Sequence, residues 1–336
     1  MAEYFSPGVY VEEYDNSPRS IEGVGTSTAG FVGLAEKGQT VGAPLLVTSY
    51  RSFVKQFGGP LSEFGYGEYR YLAPSVEQFF ANGGTRCYVS RVIPPDAKKA
   101  FVQKGILGVE AVDEGKWGNR IQVTLNTATR KKMQLVGKNG EAYVAKSVDG
   151  FREGDLVVCN EEYNRIQSIF DNSVTFERAF AQEIVDTALI PKTLVYLVET
   201  DMSVRYGEDV ENYTGLSFNT ANPNYISYRL ANSELIRITV QAPETAGNPV
   251  EAILGEGNTG GIFTLEGGQD GSMSGVNAGT FIGEDNGPGK RTGLASFVEN
   301  DTVSMLAIPG GGGIPGGPLR ELKEQVRCSG YAQRDV

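Results

Sequence analysis

Between residues 121 and 176, short runs of alternating apolar residues are cut by dipeptides that favour tight reversals. The runs lie at 121–125, 132–136, 142–148, 155–159, 166–170 and 174–176, with Asn139-Gly140, Asp149-Gly150 and Asp171-Asn172 between several of them. Period-two alternation broken by Asn-Gly or Asp-Gly is the signature of antiparallel hairpins, because the common two-residue turn needs positive φ at both central positions. This stretch predicts a small antiparallel barrel or sandwich. A further strand at 193–200, a turn or helix start at Asn222-Pro223 and a strand at 235–240 belong to its neighbourhood.

Upstream the texture differs. An apolar run at 29–34 reads as a strand, and 49–57 reads as a helix with Phe53, Val54 and Phe57 at helical spacing, stopped by Gly58-Gly59-Pro60. A second helix has Pro74 near its first turn, carries Val76, Phe79 and Phe80 on one face, and ends at Asn82-Gly83-Gly84. Residues 87–92 then read as a buried strand. Strand, helix, helix, strand with short links predicts an α/β layer. A short helix at 294–299 and a strand at 302–308 read as later members of that layer, after a stretch (255–293) with 13 Gly in 39 residues that reads mostly as loop. The predicted fold class is therefore mixed α/β. Its expected divisions are an extended arm at 1–23, a first core part at 24–95, a β-rich insertion at 96–250, a second core part at 251–310 and a Gly/Pro-rich tail at 311–336.

Composition narrows the chemistry. The 336-residue chain has no histidine, which removes Ser-His-Asp triads, Cys-His dyads, His-ligated zinc and imidazole acid/base catalysis. Against 30 Lys plus Arg stand 41 Asp plus Glu, a net charge of -11 that opposes binding to nucleic acid or to anionic membranes. Cys87, Cys159 and Cys328 are odd in number and far apart, so neither a disulfide framework nor a Cys-x-x-Cys site is expected. No apolar run approaches the ~18 residues of a membrane span, and residues 1–16 are acidic and aromatic, unlike a signal peptide. Assembly in a reducing cytoplasm is expected.

Several motifs invite a site and fail in detail. Gly287-Pro288-Gly289-Lys290-Arg291-Thr292 suggests a phosphate loop, but Gly283 lies one residue too far upstream, and Arg291 stands where a metal-binding hydroxyl belongs. Residues 266–271 and 284–286 offer oxygens to a hard cation without the alternating acidic spacing of a calcium loop, so turn chemistry is expected. The adjacent pairs Glu12-Glu13, Asp113-Glu114 and Glu161-Glu162 are expected to face solvent. The glycosylation-like Asn212-Tyr213-Thr214 and Asn300-Asp301-Thr302 are expected to be chance matches. Trp117, Tyr143 and Tyr163 are candidate stacking platforms for a glycan, with core packing the better account of Trp117.

At the amino terminus, Pro7 and Gly8 break the chain before a lone strand with Val9 and Val11 on one face and Tyr10, Glu12 and Tyr14 on the other. No tight hairpin partner adjoins it, so it must find an edge elsewhere.

These segments together resemble contractile tail sheath proteins, the polymerising outer tube of contractile phage tails and bacterial injection systems. The resemblance runs from Tyr4-Phe5-Ser6-Pro7-Gly8-Val9-Tyr10-Val11-Glu12-Glu13 through 26–33 (TSTAGFVG), Phe53 with Phe57-Gly58-Gly59, and Phe79-Phe80-Ala81-Asn82-Gly83-Gly84 to 87–92 (CYVSRV). It continues with Trp117-Gly118-Asn119, Ile121 and Val123, Asn222-Pro223-Asn224-Tyr225, Leu265-Glu266-Gly267-Gly268 with Asp270-Gly271, and Leu306-Ala307-Ile308-Pro309-Gly310. It is most similar to the injection-particle or simple phage-tail type.

The resemblance implies a subtilisin-like α/β core without protease activity or cofactor, and an outward-facing β-rich insertion. It also implies an amino-terminal arm, with Pro7, Gly8, Val9, Tyr10, Val11, Glu12 and Glu13 joining a neighbouring subunit's sheet by backbone hydrogen bonds. The implied partners are neighbouring sheath subunits in helical rings, an inner tube protein and a baseplate. The implied setting is the bacterial cytoplasm during assembly and then the virion tail or injection particle. Nothing after Gly310 resembles the family, so a carboxy-terminal arm and the family's inner-tube contacts are not expected from residues 311–336. Two other functions remain open on the residues alone: a surface adhesion or glycan-binding module on the β-rich part, and a His-free hydrolase on the α/β core.

Overall fold

The computed structural model describes residues 28–180, 193–241 and 247–314. Three assemblies of strands share them: a four-stranded, largely parallel sheet, a pair of antiparallel sheets, and a closed six-stranded barrel. The fold is mixed α/β.

The parallel sheet forms from Met305–Ala307, Ala29–Leu34, Cys87–Val92 and Leu45–Val47 in that spatial order. The first three strands run parallel and Leu45–Val47 pairs antiparallel with Cys87–Val92. Both faces are covered, which is why Ala29–Leu34 is buried throughout rather than alternating. Phe31, Cys87 and Val89 meet Phe53, Phe57, Leu72 and Val76 of the helices on one side. Val32, Leu34 and Val92 meet Phe281, Leu294, Phe297 and Val303 on the other.

The helices begin and end where the side chains dictate. Ser49 caps Tyr50–Phe57 by accepting from the Ser52 amide at 3.1 Å, and Gly58 at φ 85° closes it. Leu72–Ala81 buries Leu72, Ala73 and Val76 and ends at Asn82, as the spacing predicts. The later layer is slighter than expected: of residues 294–299 only 294–297 are helical, within the 3-10 turn Gly293–Phe297, and only Met305–Ala307 of 302–308 is strand.

The barrel orders its strands as Glu162–Phe170, Ser173–Phe176, Ala142–Ala145, Lys132–Asn139, Leu194–Leu197 and Leu156–Cys159, all antiparallel. Alternate residues point inward, so Met133, Leu135, Tyr143, Val157, Ile166, Val174 and Val195 fill the interior.

The strand expected at 193–200 is two strands. Leu194–Leu197 closes the barrel, whereas Glu199–Tyr206 lies between Asp209–Leu216 and Gln122–Ala128 in a separate four-stranded sheet. Gly260–Thr264 completes that sheet by pairing with Gln122–Ala128, so the stretch expected to be loop contributes a strand. It also contributes the helix Ala278–Ile282, held by a reciprocal Asn277–Thr280 capping box. A three-stranded sheet, Ile236–Val240, Leu107–Ala111 and Phe101–Lys104, shares one apolar core with this four-stranded sheet.

Candidate functional site

Pro7, Gly8, Val9, Tyr10, Val11, Glu12 and Glu13 lie outside the described residues. What the structure does assemble is a joint between the parallel sheet and the antiparallel sheets, built at the carboxyl end of Ala29–Leu34. Its centre is Arg91, 2% exposed, whose guanidinium donates to the carbonyls of Ala35 at 3.0 Å, Glu36 at 3.3 Å, Gly38 at 2.8 Å and Glu114 at 2.8 Å. Burial pulls its pKa down, and the carboxylates of Asp113 and Glu114 oppose that shift. Every bond is to backbone oxygen, so Arg91 acts as a rigid fork that fixes two chain segments against each other.

Around it the polar side chains interlock. The Glu36 carboxylate pairs with Arg120 and accepts from the Tyr206 hydroxyl at 3.2 Å, while Arg120 also donates to that hydroxyl at 2.7 Å. Lys37 Nζ sits 3.5 Å from Asp209 and 4.8 Å from the Tyr206 ring centroid. Burial chiefly, with the Glu36 charge beside it, pushes the Tyr206 phenol up to about 12. Trp117 meets Tyr206 edge to face at 5.3 Å, and its indole N–H donates to the Glu114 carbonyl at 3.2 Å.

A second strap crosses from Trp117-Gly118-Asn119 to Glu266-Gly267-Gly268. The Asn119 amide donates to the Gly268 carbonyl at 2.9 Å and accepts from the Gly268 N–H at 2.7 Å. Asp270 accepts from the Lys116 amide at 2.7 Å. A Cβ at Gly268 would stand 2.5 Å from the Gly115 carbonyl oxygen, so only glycine permits this approach. The oxygens of Gly268 and Asp270 thus hold a distant stretch of backbone in place.

A third knot ties the barrel to the loop before Tyr225. Asp155 is fully buried; its carboxylate accepts from Asn219 Nδ2 at 2.8 Å, Asn222 Nδ2 at 3.0 Å and the Arg152 amide at 2.9 Å. Asn222 also accepts from the Asn224 amide at 2.9 Å, which explains Asn-Pro-Asn there as turn chemistry. The sequence reading missed Asp155, whose signal is a lone acid opening an apolar run.

Arg291 pairs with Asp285 at 2.7 Å and with Glu299, so 287–292 is an internally braced loop. Trp117, 2% exposed, packs in the core, as the better account of it had it; Tyr143, 3% exposed, presents no face to a glycan, which corrects the stacking-platform expectation for that residue. Among the described residues no group of three metal-ligating side chains occurs, and no helix is long and apolar enough to cross a membrane.

No protein-family model matches the chain, and no curated protein matches it. Among solved structures, it is similar to a sheath tail protein from Listeria innocua at 13% identity and a TM-score of 0.35, covering 73% of this chain and 34% of that one. It is also similar to a sheath tail protein from Desulfitobacterium hafniense at 13% identity and a TM-score of 0.39, covering 95% of this chain and 50% of that one. The chain therefore spans between a third and half of the length of these two structures.

Proposed function

We propose that this chain is a structural subunit of a contractile tail sheath, with the parallel sheet as its subtilisin-like core and the β-rich part facing outward. One observation carries the reading: several segments through which the sequence resembles that family, far apart in the chain, meet at the joint and its strap, through Arg91, Gly59, Trp117-Gly118-Asn119, Gly268 and Asp270. The strand Ala29–Leu34 lies between Cys87–Val92 and Met305–Ala307. Gly59, from the Phe57-Gly58-Gly59 segment, donates to Glu36 at 3.4 Å, and Trp117-Gly118-Asn119 straps onto Gly268. A subunit that transmits force needs such a stiff connection between its layers more than it needs a reactive centre.

In this reading the amino-terminal arm, Pro7 to Glu13, adds a strand to a neighbouring copy, and the rings enclose an inner tube seated on a baseplate. The extended helical array stores free energy that contraction releases without a nucleotide. Electron microscopy of the native particle tests the reading: the subunit is expected in a helical outer layer, and its absence from that layer overturns the proposal. The arm assignment is tested separately by deleting residues 1–15. The shortened chain is expected to fold but to lose linkage between subunits, and unchanged assembly refutes the arm's role.

A further inference from the structure

Gly260–Thr264 ends its sheet: it pairs with Gln122–Ala128 on one side and with no strand among the described residues on the other. The ladder fixes which of its backbone groups are free. The Thr127 amide donates to the Thr259 carbonyl at 2.8 Å and the Leu265 amide to the Ile121 carbonyl at 3.2 Å, so Thr259, Gly261, Phe263 and Leu265 face the neighbouring strand. Gly260, Ile262 and Thr264 therefore turn their N–H and C=O groups outward. All three are exposed, Ile262 to 68%, while Phe263 points into the core on the opposite face.

An open edge of this kind pairs with other chains unless something blunts it. The other sheet edges among the described residues are blunted. Leu45–Val47 and Met305–Ala307 are three residues long. Asp209–Leu216 carries Asp209 and Glu211 and pairs through a bulge near Thr200 and Met202. Ile236–Val240 carries Arg237; Phe101–Lys104 ends in Lys104, and its Phe101 amide is already taken by the Glu266 carbonyl at 2.8 Å. Gly260–Thr264 has no charge, no proline and an unbroken register, and Gln122–Ala128 beside it is uncharged too.

We infer that this edge pairs with the same edge of a second copy, antiparallel about a two-fold axis at Ile262, joining two four-stranded sheets into one. Copies of a chain with a net charge of -11 repel one another, and these two uncharged strands offer an approach without like charges. The edge is also complementary to itself. With Ile262 opposite its counterpart, Gly260 falls opposite Thr264, and every opposed pair has outward-facing groups on both sides, so each exchanges two backbone hydrogen bonds. Ile262 gains an apolar cross-strand neighbour, and Gly260 leaves room for the branched Thr264. A slip by two residues separates the isoleucines, which sets the register. Such pairing requires neither the amino-terminal arm nor a helical array.

Sedimentation and amide exchange of the full chain over a concentration series test the pairing. A contact this small is weak, so a monomer–dimer equilibrium is expected to emerge only as concentration rises. As dimer forms, exchange at the amides of Gly260, Ile262 and Thr264 is expected to slow, whereas Gly261 and Phe263, already bonded within the sheet, keep their rates. Ile262→Lys sets a charge against its own copy, and Thr264→Pro removes an outward N–H that the ladder with Gln122–Ala128 does not use; each is expected to weaken dimerisation about tenfold or more. A chain that stays monomeric throughout overturns the proposal. So does association that leaves the three amides exchanging freely, as linkage through the amino-terminal arm would, or dimerisation unchanged in a folded Ile262→Lys or Thr264→Pro protein; should one variant not fold, the other decides.

Discussion

Arg91 donates to the carbonyl oxygen of Glu114 at 2.8 Å and so ties a strand of the parallel sheet to the segment that follows the strand Leu107–Ala111. The same guanidinium holds the turn after Ala29–Leu34, so one side chain sets the angle between the layers.

Replacing it should therefore cost more than an ordinary surface arginine. Arg91→Met keeps much of the apolar stem but leaves four carbonyls without this donor, and a loss of about 3 kcal/mol or more is expected. Thermal and denaturant unfolding of the variant measure it. Arg91→Lys should recover only part, since an ammonium cannot span the same fork of acceptors.

Gly268→Ala addresses the strap. Its new Cβ would stand 2.5 Å from a backbone oxygen that cannot rotate away, so a cost of about 1–3 kcal/mol is expected. Asn119→Ala should lower stability in the same region, and the two effects should be non-additive because both break one pair of hydrogen bonds. A double-mutant cycle reads this directly.

Asp155→Asn removes a buried charge that three donors address and presents an N–H₂ where an acceptor is required. A destabilisation of about 2–3 kcal/mol is expected. Hydrogen exchange should locate the loss of protection at the barrel's junction with Asn219 and Asn222 rather than in the parallel sheet.

Alkaline pH should loosen the joint through Tyr206. Its folded pKa, about 12, lies above the ordinary phenol value of 10.0, so the folded state holds the proton more tightly than the unfolded chain. The associated stability is complete below about pH 10 and declines as pH rises toward 12. Tyr206→Phe should flatten that part of the stability–pH curve. Ultraviolet titration of the phenolate should show one fewer late-ionising tyrosine in the variant.

Much of the α/β layer was legible in the chain because its signals are local. Ser49 and Gly58 bracket one helix, Asn82-Gly83-Gly84 ends the other, and the continuous apolar runs at 29–34 and 87–92 announce strands buried on both faces. The barrel was legible in outline from its alternation and hairpin turns. The hairpin of Glu199–Tyr206 with Asp209–Leu216 was not, because the second strand carries Glu211, Asn212 and Thr214 and exposes much of one face. The joint was hidden for a different reason. Arg91, Glu114, Asn119 and Gly268 are brought together only by tertiary folding, and no local pattern distinguishes a fully buried arginine from a solvated one.

Residues Leu194 to Tyr206 pass from barrel to open sheet with only Val198 between the two ladders. A pull on the barrel therefore runs as tension along two short covalent links, this one and residues 129–131 between Gln122–Ala128 and Lys132–Asn139, and meets the neighbouring strands in shear, where many hydrogen bonds share the load at once. A tether of loose residues would instead let the barrel swing before the rest of the molecule felt anything.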